Sequence, residues 1–281
     1  MRRLHFALAC LAALSLACAD GTAPPEQQGV QAAARIRELN LNNNIGRMAM
    51  HIGTPVAGPD LSVDGVSSSQ HHVSSGEGPW MVNFRALNMG TAGSTSPTTL
   101  AAYLSRDNVF SAGDRFLAEV PIGPLPSGAY LDDSIPITMP TGISAGQYLN
   151  VVLVADDDLL IPETNELAND NSYSLHVGTP AGNGPDLVIE SMTSPQHNLN
   201  PGEGTTLQFR VHNMGQASAA PTLAKVYLSR DRLKSNNDVL LGQVSIPGMA
   251  QGTFQAASAD VTIPTGHRLG YAYFLIEANA P

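Results

Sequence analysis

Cysteine is nearly absent: Cys10 and Cys18 are the only two, and both lie within the first eighteen residues. A chain cleaved around that point has no internal disulfide and no thiolate metal site, even in an oxidising compartment. Charge is also scarce, at 14% of residues against roughly a quarter in ordinary proteins, so Ser, Thr, Gly and Asn must cover much of the surface. Lys and Arg number 14 against 24 Asp and Glu, and the net charge of −10 argues against a nucleic-acid partner. Apart from one stretch near the start there is no long apolar run and no sustained heptad, which excludes a polytopic membrane protein and a coiled coil. The sequence contains no G-x-S-x-G, no H-E-x-x-H, no Lys-bearing phosphate loop and no Cys/His set with zinc spacing. The usual support for a hydrolase or metalloprotease is therefore missing, and no catalytic residue is assigned.

The first eighteen residues read as an export signal. Arg2 and Arg3 form a positive start, and Leu4 to Leu16 is apolar except for His5 and Ser15. That run is too short to span a bilayer. Leu14-Ser15-Leu16-Ala17-Cys18 resembles a bacterial lipobox, which implies cleavage before Cys18 and its lipidation. Ordinary cleavage near Ala17-Cys18-Ala19 is the alternative. Residues 19–37, with Pro24-Pro25 and no apolar stripe, read as a stalk.

Beyond the stalk the chain repeats itself. Gly58-Pro59-Asp60-Leu61 and Gly76-Glu77-Gly78 return 126 residues later as Gly184-Pro185-Asp186-Leu187 and Gly202-Glu203-Gly204. Asn88-Met89-Gly90 returns at an offset of 125, and Tyr103-Leu104-Ser105-Arg106-Asp107 at 124. Within each copy the apolar period is two: Trp80, Val82, Phe84 and Ala86 alternate with polar residues, as do Leu207, Phe209 and Val211. Glycine and proline, 26 and 20 in number, break these runs at short intervals. About seven short strands per copy predict an all-β protein of two tandem antiparallel sandwiches, residues 58–178 and 184–281, joined by a linker at 179–183.

The order of these features resembles the CARDB module, a cell-adhesion-related domain of bacteria. The residues that carry the likeness are the opening Pro-Asp-Leu, Gly-Glu-Gly, Asn-Met-Gly, Tyr-Leu-Ser-x-Asp, and Ala155-Asp156 followed by Glu163-Thr164-Asn165-Glu166. The resemblance covers residues 58–281. It implies an immunoglobulin-like fold with extracellular binding or spacing, and no catalysis.

The second copy lacks a closing strand. The first copy ends on Tyr173, Leu175 and Val177, whereas the second stops just after Tyr271 to Glu277. Residues 38–57 supply an orphan: Glu38, Met48, Met50 and Ile52 align at offset 125 with Glu163, Tyr173, Leu175 and Val177. Met48, Met50 and Ile52 are thus candidate strand-donor residues. Three such side chains contribute about 5 to 9 kcal/mol when buried, against a domain stability of about 5 to 15. An unfilled second copy would leave an unpaired sheet edge open to self-association. Three outcomes follow from the sequence: an idle remnant of a shortened array, closure within the chain, or head-to-tail donation to the next molecule. The tether from Gly53 to Pro59 spans at most about 25 Å, so closure within the chain requires the two copies to pack together.

Asp156, Asp157, Asp158, Glu163, Asn165 and Glu166 cluster between the last two strands of the first copy, where oxygen-rich loops can hold Ca²⁺; the competing reading is a solvated turn. Ca²⁺ is the only cofactor the residues suggest. Asp107, Asn108 and Asp114, mirrored by Asp231, Asn237 and Asp238, are explained as hairpin turns. His71 and His197 each follow a Gln in the first loop of a copy; one imidazole per loop does not build a zinc site, and both read as solvent-facing polar residues. Trp80 has inward parity and packs at the core. Arg106 and Arg230 end equivalent strands, where they either touch an acidic glycan or pair with neighbouring Asp.

The sequence therefore reads as a non-catalytic, lipid-anchored lipoprotein of the outer membrane or cell surface, meeting the membrane through its anchor alone and carrying modules for an unidentified surface protein or glycan. A secreted form, an accessory fragment of a larger secreted hydrolase and a strand-donating assembly subunit are the alternatives.

Overall fold

The structure is a computed structural model that describes residues 35–55, 57–163, 165, 166, 168–180 and 182–279. The export signal, Cys18 and nearly all of the stalk lie outside the described residues. Among those described there are sixteen strands and no helix. The Pro- and Gly-punctuated alternation accounts for this: in β4 (Trp80–Asn88), Val82, Phe84 and Ala86 are buried while Met81 and Asn83 are exposed. The fold is all-β, as the sequence implies.

The first repeat forms two sheets. One contains β2 (Leu61–Ser68), β4 and β7 (Tyr130–Ile137). The other runs in the order β3 (His72–Val73), β9 (Asp170–Val177), β8 (Tyr148–Ala155), β5 (Thr98–Ser105), β6 (Arg115–Ile122). Their facing side chains make one core that includes Leu61, Val82, Phe84, Leu100, Ile135, Val151, Tyr173 and Leu175. Trp80 packs on its margin and donates Nε1–H to the Tyr173 hydroxyl at 2.8 Å.

In the second repeat, β10 (Leu187–Thr193), β12 (Gly204–Asn213) and β15 (Phe254–Thr262) form one sheet. Its partner has the order β11 (Asn198–Leu199), β1 (Ile45–Ile52), β16 (Gly270–Ala278), β13 (Thr222–Ser229), β14 (Val239–Ile246). Among the described residues, the strand that closes the second sandwich is β1, from the front of the same chain. The open edge expected from the sequence is thus corrected: β1 occupies it. Residues 38–57 are neither an idle remnant nor, in this structure, a strand held out to another molecule.

The register matches that of the first sandwich residue for residue. Met48 pairs Phe274 and Met50 pairs Ala272, as Tyr173 pairs Val151 and Leu175 pairs Leu149. The parallel bridge from His51 and Ile52 to Asn198 and Leu199 matches the one from His176 and Val177 to His72 and Val73. Met48, Met50 and Ile52 enter the second core, each no more than 1% exposed. The segment before β1 repeats its counterpart too: Glu38 accepts from the Leu187 amide as Glu163 accepts from that of Leu61.

Closure brings the two sandwiches together in a single contact unit. Ala49, on the outer face of β1, joins Leu87, Met89, Ala168, Tyr273 and Leu275 in an apolar cluster between them. At equivalent points in β2 and β10 the register slips, between Asp64 and Ser67 and between Glu190 and Thr193. Gly65 and Ser191 take left-handed backbone there, at φ 65° and 56°. Such a bulge lets apolar residues on both sides face the same core, Val63 with Val66 and Ile189 with Met192, while Asp64 and Glu190 point outward into the other sandwich.

Candidate cation site and the seam between the sandwiches

Of the six acidic or amide residues singled out in the first repeat, the fold gathers three. Oxygens of Asp156, Glu163 and Glu166 lie within 4.8 Å of one another. Asp156 sits in left-handed conformation at the end of β8, φ 52°, where its carboxylate accepts from the Thr98 hydroxyl and the amides of Leu160 and Ile161. Glu163 Oε2 accepts from the Leu61 amide at 2.8 Å, tying this turn to β2. The others do not join them: Asp157 accepts from the Tyr103 hydroxyl, Asp158 shares the Thr98 hydroxyl with Asp156, and Asn165 meets Tyr271.

Crowding of carboxylates changes their chemistry. Burial, with the charges of Glu166, Asp60 and Asp156, pushes the Glu163 carboxyl up to about 8. Asp156 is also raised, mainly by burial. Near neutral pH this turn either keeps a proton or holds a hard cation, the charge balance that Ca²⁺ sites exploit. The second sandwich is an internal comparison. There Asn279, φ 52°, takes the place of Asp156, and its amide donates to Glu38 and to the Ile36 carbonyl. Leu41 stands where Glu166 would, so the repeated turn contains one carboxylate instead of three.

A second constellation was not visible in the sequence as such. Across the seam, each sandwich presents the same acidic positions to the other. Asp60 accepts from the Tyr271 hydroxyl at 2.8 Å, and its counterpart Asp186 accepts from Tyr148. Burial pushes both carboxyls up to about 6. His72 Nε2 lies 2.7 Å from the Met214 carbonyl, and Asn198 donates to that of Met89 at 2.9 Å. These reciprocal pairs give the seam an approximate two-fold symmetry, the arrangement expected of two like units packed through one patch. Arg47, on the outer face of β1, adds a pair without a mirror image: it reaches Asp170 at 3.1 Å, and Arg232 joins at 2.9 Å.

His71 and His197 are part of this seam rather than of the surface. His197 Nε2 lies 2.8 Å from Asp64 Oδ2, with Arg85 at 3.9 Å from the other oxygen. His71 reaches the equivalent acid, Glu190, at 3.3 Å, with Arg210 at 3.2 Å and His212 at 3.7 Å. The two acids respond differently. Burial dominates at Asp64 and raises it despite the His197 contact. At Glu190 burial also acts upward, but His212, His71 and Arg210 together outweigh it and hold the carboxyl at about 2. One signal in the sequence bore on this cluster: acid and histidine recur together at offset 126, although nothing local says that each pairs with the other copy.

Arg106 and Arg230 are exposed and line separate clefts. The Arg230 cleft, about 660 Å³, lies between the sandwiches and is lined by Phe110, Leu233 and Tyr273, with Glu166 and Asp170 at its wall. The hairpin acids do turn work: Asp107, Asp114, Asp231 and Asp238 accept from the amides of Val109, Ser111, Leu233 and Ser235.

The CARDB family model matches residues 184–278, nearly all of the second repeat. Among solved structures the chain is similar to the CARDB domain of a Pyrococcus furiosus protein crystallised in complex with di-metal ions. That likeness has 16% identity and a TM-score of 0.33, covering 44% of this chain and 93% of that one. A solution NMR structure of the domain gives 19% identity and a TM-score of 0.30, covering 44% and 98%. Red sea bream transglutaminase is similar at 10% identity and a TM-score of 0.24, over 79% of this chain and 29% of the other. No curated protein sequence matches the chain.

Proposed function

We propose that this chain is an exported lipoprotein, anchored through Cys18, whose two sandwiches act as one adhesion or spacing body at the cell surface and turn over no substrate. The observation that carries the reading is the CARDB match across residues 184–278, which suggests an adhesion-related or binding module at an extracellular or surface location. The seam supports it. Many of the buried ionisable groups, Arg47, Asp64, Asp170 and Glu190 among them, hold one sandwich to the other, which suits a body that transmits position. The cleft of Phe110, Arg230 and Leu233 is the surface we assign to a partner, an apolar floor where Arg230 stands among Glu166, Asp170 and Asp231, suited to a surface protein or glycan.

The test is metabolic labelling with an alkyne fatty acid in a bacterial host, together with adhesion of the host's cells to immobilised polysaccharides. The expected result is a labelled, surface-accessible protein, label lost in Cys18→Ser, and adhesion reduced by Arg230→Ala with Leu233→Asp. An unlabelled wild-type chain overturns the anchor. Adhesion indifferent to the cleft variants overturns the binding surface, and hydrolysis of an offered polysaccharide overturns the non-catalytic reading.

A further inference from the structure

The seam contains an asymmetry that its symmetry makes conspicuous. Asp64, His197 and Arg85 correspond to Glu190, His71 and Arg210, yet the first pair closes as a hydrogen bond of 2.8 Å while the second stays open at 3.3 Å. At the second acid there is also a third group, His212, where the mirrored position is Leu87. His71, Glu190 and His212 are all more than nine-tenths buried. His71 Nε2, Glu190 Oε2 and His212 Nδ1 are each without a hydrogen-bond partner, and the three residues can direct one atom apiece to a common point, the atoms lying within 4.8 Å of one another.

The tautomer of His71 sharpens this. Its Nδ1 lies 3.0 Å from the Ser174 carbonyl oxygen, which can only accept, so Nδ1 bears the hydrogen. In the neutral ring Nε2 then presents a lone pair to a carboxylate oxygen. Two acceptors then face each other in a buried place, an arrangement resolved by a second proton on the ring or by a metal cation between them. A histidine whose far N–H is fixed by a carbonyl is also the usual posture of a metal ligand. Bonds of about 2.0 to 2.2 Å in a tetrahedron set ligand atoms about 3.4 Å apart. The 3.3 Å from His71 Nε2 to Glu190 Oε2 is close to that spacing, and His212 Nδ1 lies 3.7 Å from the other oxygen of the same carboxylate, Oε1. Arg210 opposes a second cation, but it contacts Oε1 at 3.2 Å and leaves Oε2 to face His71.

We propose that His71, Glu190 and His212 form a transition-metal site of the zinc type that clamps the two sandwiches together. His71 comes from the first repeat and the other two ligands from the second, so the ion joins both halves of the body. The inference is independent of any partner at the cell surface.

The experiment uses the full chain in detergent with Cys10→Ser and Cys18→Ser, so that no thiol competes, stripped with chelator and titrated with Zn²⁺ and, separately, Co²⁺. The expected result is one tightly held equivalent, visible absorption of low-coordinate Co²⁺, and a rise in melting temperature with Zn²⁺. Merely orienting residues around such ions are worth roughly 10- to 100-fold in affinity. His212→Gln and Glu190→Gln, which remove ligands, should lose at least that much, while His197→Gln across the seam binds as before. Imidazole nitrogen NMR of the unsubstituted site provides a readout that does not depend on variants folding: zinc should shift His71 Nε2 and His212 Nδ1. Absence of stoichiometric uptake, uptake unchanged in both ligand variants, or a proton on His71 Nε2 that zinc does not displace each overturns the proposal.

Discussion

Truncating Met50 tests closure of the second sandwich most directly. The side chain is fully buried, sits opposite Ala272 and belongs to the core that also contains Phe274, Leu207 and Val226. Met→Ala at such a site costs about 2 to 5 kcal/mol, lost transfer energy plus the residual cavity. At about 2 to 3 kcal/mol per molar for a chain this size, the urea midpoint should fall by roughly 1 to 2 M. Trp80, the only tryptophan, lies in the first sandwich, so its fluorescence follows that half while circular dichroism follows both. Because the two halves share a buried seam, both signals should move together. Leu175→Ala, the equivalent change in the first core, should cost a similar amount. The midpoint should also be independent of protein concentration, since β1 closes its own chain. A fall under about 0.5 M with unchanged slope, or a midpoint that rises with concentration, would refute this reasoning.

Cysteines introduced as Ile45→Cys with Glu277→Cys, facing positions in the β1–β16 ladder, should form an intramolecular bridge in a chain freed of Cys10 and Cys18. Covalent dimers on a non-reducing gel would show exchange between molecules instead. Burial pushes the Glu38 carboxyl from 4.5 up to about 7. Its folded form therefore binds the proton more tightly than its unfolded form, and its contribution to stability, complete below about 4.5, is lost as pH rises through about 7. Glu38→Gln should flatten the decline in melting temperature over that window, and an undiminished slope would place its origin elsewhere. Asp170→Asn leaves buried Arg47 and half-buried Arg232 without their shared carboxylate. Loss of one partner of such a pair costs about 3 to 5 kcal/mol, measurable in the same urea titration, whereas a loss under about 1 kcal/mol would show that water reaches the site.

Much of this architecture was legible in one dimension. Alternation at Val82, Phe84 and Ala86 marks a strand because side chains on extended backbone project to opposite faces. The alignment of Glu38 and Met48 with Glu163 and Tyr173 carried even the register of the β1 ladder. The acidic turn was legible as a group of six but not as the three that converge, because rotation about the bonds around Asp156 decides which oxygens meet. The seam was least legible. Asp64 and Glu190 look like solvent-facing positions of half-buried strands, and only the packing of β2 near β10 shows that the outer face is buried as well.

The order of apolar and polar residues thus determined, unaided, that this chain folds as duplicated layers of extended backbone and that its leading segment has the pattern of a closing strand. Which edge the leading strand would fill was decided by tertiary structure, since backbone ladders pair with any open edge and only a matching core and a short tether select one. The meeting of His71 with Glu190 and His212 was decided in the same way: residues distant in the chain became neighbours once the two sandwiches were held face to face.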